Sequence, residues 1–296
     1  MKRSFTKTMK NMKIFLVVVI CFFLSNAALF SQTAKKDSAV YGWKKEIVGN
    51  LNLTQASFDN WGQGGQNSLA WQINLNSQFT LDEKKFNWVN TGKFTIGYAK
   101  IEGNEARKSA DEIKLESVYT RKINAFLNPY ISATAQTQFA SGFNYSDNNT
   151  KTEISKFLDP GYFTQSIGMG YHHGDLVKTR LGATVKETVT SKFPVPFADN
   201  PNTPKLEKTK VEPGISSVTD VKQALHENIL LKSRVDIFSD LEAFDRIDVL
   251  WENDLVMKVT KYINVNFEFD LLYDKDISDR RQIRQVLSVG FTYTFL

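Results

Sequence analysis

The chain has 296 residues, is 42% hydrophobic, and after its first 31 residues contains no apolar run near the roughly 18 residues that a spanning helix needs. That excludes a helical membrane protein for the body of the chain and leaves a closed barrel as the only fold that could span lipid, because every backbone polar group must then be paired internally. Five of the 37 basic residues lie in those first 31 positions, so 32 remain against 32 acidic ones; the pI near 9.0 is a property of the leader and gives no argument for a nucleic-acid partner.

The chain opens on Lys2, Arg3, Lys7, Lys10 and Lys13, followed by an unbroken apolar run from Ile14 to Leu24 and then small residues before Gln32. A basic head, a short apolar core and a small-residue exit make a secretory signal peptide over residues 1–31, with cleavage expected between Ser31 and Gln32. The single cysteine, Cys21, falls inside the leader, so the exported part carries no thiol into an oxidising compartment. Residues 32–42 read as a short polar periplasmic tail, and residues 43–296 as one domain.

From Trp43 onward the apolar pattern has period two. Twelve strands are predicted near 45–57, 67–80, 86–101, 111–122, 129–142, 161–172, 176–192, 213–224, 228–239, 245–258, 262–273 and 285–296. The clearest has Ile263, Val265, Phe267, Phe269 and Leu271 on one face and Asn264, Asn266, Glu268 and Asp270 on the other. The eighth, near 213–224, has the weakest pattern. Connections after even-numbered strands are short and those after odd-numbered ones are mostly longer, the sorting seen in outer-membrane barrels, where short turns face the periplasm. The fold expected is therefore an all-β, antiparallel transmembrane barrel of about twelve strands in the outer membrane of a Gram-negative cell.

Aromatics gather at both predicted rims: Trp43, Trp88, Tyr130, Tyr171, Tyr262 and Tyr293 at the short turns, and Phe58, Tyr98, Phe163, Phe244 and Tyr273 at the long loops. Two interfacial belts are the expectation. The two longest connections, 143–160 and 193–212, read as solvated loops, the second carrying Pro194, Pro196, Pro201 and Pro204.

Alternation also directs charge inward. The lumen-facing candidates are Lys178, Arg180, Lys186, Lys232, Arg234, Asp236, Arg246, Asp248, Glu252, Asp254, Glu268 and Asp270. A basic wall on the seventh and ninth strands would face an acidic wall on the tenth and eleventh. Opposite charges could pair and plug the bore, or line a narrow wet channel; about eight strands are filled by side chains and sixteen or more leave a wide pore, so twelve admits both. His172, His173 and His226 lie at the short-turn rim with no nucleophile or ligand set beside them, and no enzyme activity, metal or cofactor is expected.

The chain ends Ser288-Val-Gly-Phe-Thr-Tyr-Thr-Phe-Leu296. Ser288, Gly290, Tyr293 and Phe295 resemble the terminal strand signal read by the barrel-assembly machinery, departing from it only in the final leucine, and that machinery is an expected partner during biogenesis, as is membrane lipid. Near the first long loop stand Asn60, Trp61, Gly64, Gly65, Asn67 and Ser68. These resemble the hallmark of an outer-membrane barrel family of the Bacteroidota catalogued as domain of unknown function 3078. The resemblance is clearest in the first third of the exported chain and implies an exported barrel without implying any chemistry. A narrow channel for small polar solutes is the leading expectation. A non-enzymatic structural or binding barrel of an envelope complex is the alternative, and a lipid-acting barrel enzyme stands behind both.

Overall fold

The computed structural model describes residues 41–58, 66–146, 150–174, 176–242, 247–275 and 280–296. The leader with Ser31 and Gln32, the tail to residue 40, Asn60, Trp61, Gly64 and Gly65 of the motif, Phe244 and Arg246 lie outside the described residues.

The described residues form fourteen strands and no helix: β1 Gly42–Ala56, β2 Ser68–Asp82, β3 Phe86–Ile101, β4 Arg107–Arg121, β5 Leu127–Thr137, β6 Gly142–Tyr145, β7 Lys151–Ser155, β8 Gly161–His173, β9 Val177–Val189, β10 Thr209–His226, β11 Ile229–Asp240, β12 Ile247–Lys258, β13 Ile263–Tyr273 and β14 Gln282–Thr294. Twelve of them close into one antiparallel barrel, in the order β1-β14-β13-β12-β11-β10-β9-β8-β5-β4-β3-β2. Each strand pairs with its sequence neighbour, and β6–β7 forms a separate hairpin between β5 and β8.

Period two decides which face meets which medium. Leu51, Leu53, Ile73, Leu75, Leu115, Ile131, Ile167, Leu181, Leu287 and Phe291 are large, apolar and exposed on the outside, while Asn52, Gln72, Thr95, Ser166, Thr184, Asn264 and Asn266 are buried on the inside. This inverts the usual soluble arrangement and is the pattern of a barrel wetted by lipid outside and lined by polar groups within.

Three expectations need correction. The loop over 143–160 is not bare: it carries the β6–β7 hairpin, whose strands are too short for alternation to register. The eighth predicted strand, weakest in the sequence, is the longest observed, at 18 residues. Pro213 and Gly214 break its apolar rhythm. The ladder tolerates the proline because β11 reaches only to Asp240↔Gly214, so the missing N–H of Pro213 falls where β10 pairs with β9 alone. Tyr130 is no belt residue. It points inward, is 5% exposed, and its hydroxyl shares a hydrogen bond of 2.8 Å with Ser166 Oγ. Gly168 and Gly182 stand opposite each other beneath it, and a Cβ on Gly182 would come within 2.6 Å of its oxygen. The ring fills the hole that two glycines leave in the wall.

Candidate functional site: the lumen

The inward charges form transverse clusters. At the first, Lys93 of β3 meets Glu112 of β4 at 2.8 Å and Glu252 of β12 at 3.0 Å, and Lys114 of β4 lies 3.6 Å from Glu252. In ring order β12 is fourth and β4 is tenth, so they stand opposite each other and the ion pairs reach across the bore. At the second, Glu116 of β4 takes Arg180 of β9 at 2.8 Å and both terminal nitrogens of Arg234 of β11 at 3.0 Å. Asp220 of β10 shares the two guanidiniums, at 3.4 Å from Arg234 and 4.0 Å from Arg180. A third cluster stands nearer the long loops, where Lys186 meets Asp248 at 2.6 Å, with Glu212 and Asp274 each at 3.9 Å. Against β13, Arg284 meets Asp270 at 2.6 Å and Glu268 at 3.6 Å, and Gln72 donates to Glu268 at 3.3 Å.

The facing walls thus differ from the sequence expectation. Lys186 meets Asp248 as a basic seventh strand and an acidic tenth would. Arg180 and Arg234 turn instead to Glu116, and Glu252 turns to Lys93 and Lys114. Strand order explains this: β11 and β12 are immediate neighbours with little bore between them, whereas β4 lies opposite both. Lys93, Glu112, Lys114 and Glu116 are the residues that sequence reasoning missed. Their signal was present, since Glu112, Lys114 and Glu116 alternate with Ile113 and Leu115. Lys232 and Asp254 face each other across β11 and β12, and with Asn50, Asn74 and Asn266 they border a polar cavity of about 90 Å³. Asp236 stands on the same inner face of β11. Lys178 opposes His172 and Asp220 in the ladders near the short-turn rim, where His226 Nδ1 also accepts from Asn228 N at 3.4 Å.

These clusters are unevenly open, Glu116, Lys114 and Arg180 keeping about a tenth of their side-chain exposure. Side chains of Lys93, Arg284 and Asp220 keep 35%, 38% and 40% of their exposure. Opposite the charges runs a neutral wall of Asn50, Asn52, Gln72, Asn74, Asn264 and Asn266. It is tied by Asn264 to Asn266 at 2.5 Å, Asn266 to Asn52 at 3.2 Å and Gln72 to Asn74 at 3.0 Å.

The long-loop rim is organised. Asp159, almost wholly buried, accepts from the backbone N–H groups of Ser191 at 2.9 Å, Lys192 at 2.7 Å and Phe193 at 3.3 Å, pinning the β9–β10 loop. Burial opposes its charge, but the three donors outweigh it and hold the carboxyl below the usual aspartate value. Glu153 of β7 takes Lys192 at 2.7 Å and Ser141 at 2.7 Å; these bonds hold its carboxyl below the ordinary range as well. Of the loop motif, Asn67 closes the base, accepting from Phe58 N at 2.7 Å and donating its own N–H to Glu102 at 3.0 Å, and Ser68 opens β2.

The terminal motif closes the barrel. β14 pairs with β1 from Val48↔Thr294 to Leu53↔Val289. Phe295 lies outside against Gly49, where an added Cβ would stand 3.0 Å from its ring, and it packs edge-on against Tyr293. Gly290 lies under Asn52, whose Oδ1 occupies the space a side chain would need.

Residues 53–143 match a family model described as "Protein of unknown function (DUF3078)", so the chain resembles that family from within β1 to the start of the hairpin. No curated protein matches the chain. Among solved structures, the chain is similar to the translocator domain of the autotransporter NalP from Neisseria meningitidis, at 11% identity over 87% of this chain and 90% of that one, with a TM-score of 0.39. An outer-membrane channel from Pseudomonas putida F1 matches at 9% identity over 90% of this chain and 100% of that one, with a TM-score of 0.41. The NanC porin matches at 7% identity over 84% and 97%, with a TM-score of 0.38.

Proposed function

We propose that this barrel lies in the outer membrane and passes small polar solutes slowly through a lumen throttled by ion pairs. The membrane reading is supported by the inverted surface: apolar side chains coat the closed wall and polar ones line it. The channel reading is carried by one observation, that Lys93, which reaches Glu252 across the bore, keeps 35% of its side-chain exposure, as do Asp220 and Arg284 on the wall beside the cross-bore pairs at 40% and 38%. A dry plug would bury them, because an ion pair withdrawn from water loses more hydration than its attraction returns unless its geometry is excellent. Wet pairs can part. The opposed charges favour small zwitterionic or neutral polar solutes, and the asparagine wall offers hydrogen bonds along the way.

Single-channel recording on the refolded barrel tests this. Small, steady conductance that rises faster than bulk conductivity as salt screens the pairs is expected. A barrel that is folded and silent at every salt concentration overturns the channel. It would leave the binding-barrel reading, which the pinned long-loop rim favours, since loops fixed by Asp159 and Glu153 present a defined outer surface. Neither reading includes a catalytic step.

A further inference from the structure

The seam between β1 and β14 closes over only part of its height. The ladder stops at Leu53↔Val289, yet β14 runs on for seven more residues to Gln282, paired with β13 as far as Leu272↔Gln282. Continued in register, Ser288 would oppose Thr54, Leu287 would oppose Gln55, Val286 would oppose Ala56, and Arg284 would oppose Phe58. All of these are described residues, and none of them makes a β1–β14 ladder pair. Every other adjacent pair in the barrel is laddered across most of its shared length.

This notch is at lipid depth. Leu287 is 68% exposed, the highest value among the large apolar side chains, and Ile283 and Leu53 beside it are also exposed. Unpaired backbone facing hydrocarbon is costly, so a notch flanked by such residues needs an occupant that brings both apolar and hydrogen-bonding surface. Its inner end supplies the second half of the match. Asn52 and Ser288, 3% and 6% exposed, sit at the foot of the notch, and Asn52 Nδ2 and Ser288 Oγ are buried without a hydrogen-bond partner. Asn52 Oδ1 is already taken by Asn266, so the amide presents only donors, and the hydroxyl can donate or accept. Ala56 and Val286 continue the same inner face above this polar foot, and Gln55 and Leu287 flank the notch on the lipid side. The cation on this inner face of β14, Arg284, is already held by Asp270 and Glu268, so it offers little to an anionic head.

We propose that the upper β1–β14 seam is a lateral portal joining the lumen to the outer leaflet. It would take a neutral single-chain amphiphile, its hydroxyl, ester or amide head on Asn52 and Ser288 and its alkyl chain passing between the parted strands, past Gln55 and Leu287, into lipid. The inference rests on the membrane reading and is independent of whether ions cross the bore. The test uses the refolded barrel in phosphatidylcholine vesicles with a nitroxide-labelled monoacylglycerol, read by electron paramagnetic resonance. A nitroxide-labelled fatty acid at alkaline pH, where it is ionised, is the comparator. The expected result is a motionally restricted component larger for the neutral label than for the acid. It should fall about thirtyfold in Asn52→Ala/Ser288→Ala, as for two lost hydrogen bonds, and be abolished in Ala56→Trp, whose ring would close the notch from its inner face. Heat-modifiable gel mobility confirms that each variant is folded. Equal components for both labels, or no change in either folded variant, would mean lipid merely coating the wall and would overturn the portal. Conductance recorded on the same preparations separates the two readings: a silent barrel that binds the neutral label keeps the portal and loses the channel, and a conducting barrel indifferent to it does the reverse.

Discussion

Removing the carboxylate of Glu116 should loosen the barrel and widen its bore at once. That side chain accepts three charge-assisted hydrogen bonds, one from Arg180 at 2.8 Å and two from Arg234 at 3.0 Å, and is a tenth exposed. Taking away one partner of a buried ion pair costs about 3–5 kcal/mol because the other is left uncompensated. Here the lower end applies. Asp220 is 40% exposed and lies within 3.4 and 4.0 Å of the two guanidiniums, so part of the positive charge keeps a counter-ion and water. Glu116→Ala is therefore expected to cost about 3 kcal/mol. Glu116→Gln, which keeps the shape but loses the charge, should cost about 1–2 kcal/mol. Urea unfolding of the refolded barrel in vesicles, followed by tryptophan fluorescence and gel mobility, measures the loss. A double-mutant cycle of Glu116→Gln with Arg234→Gln should show positive coupling. Conductance of Glu116→Ala should exceed that of the parent, since the group that draws β9 and β11 toward β4 is gone. A stability change under about 0.5 kcal/mol, the level of an ordinary surface substitution, would refute the claim that the cross-bore contacts hold the wall in place.

The long-loop rim should be acid-labile through Asp159. Its carboxyl is held below the ordinary aspartate range, so the stabilisation is fully present above that range and is lost as pH falls through the lower folded value. Protease cutting within residues 190–208 should be slow at neutral pH and accelerate only below the ordinary aspartate range. Asp159→Ala should be cut readily at every pH; equal protection in that variant would show that the three backbone bonds do not hold the loop. At the seam, Gly290→Ala would drive a methyl into Asn52 Oδ1, and overpacking of this kind costs about 1–3 kcal/mol. A lowered temperature for the heat-induced gel shift is expected, and an unchanged one would mean that Asn52 turns aside freely.

Much of this molecule is written locally. The alternation of Ile263, Val265 and Phe267 with Asn264, Asn266 and Glu268 specifies a strand and assigns its faces, and the parity of loop lengths orders the strands into an up-and-down barrel. Those features depend on residues a few positions apart, and a side-chain period of two is set by backbone geometry alone. Where the local signal was interrupted, at Pro213 and Gly214, the eighth strand was read short at its start, and the short β6 and β7 went unread for the same reason. Closure decided what periodicity could not. Lys93 finds Glu252 at a separation of 159 residues, and Arg234 finds Glu116 at 118, because ring position places them across one bore. Tyr130 turns inward because two glycines meet beneath it. The point where β1 and β14 part depends on the register in which the first and last strands meet, and that register is fixed only when the whole ring is assembled.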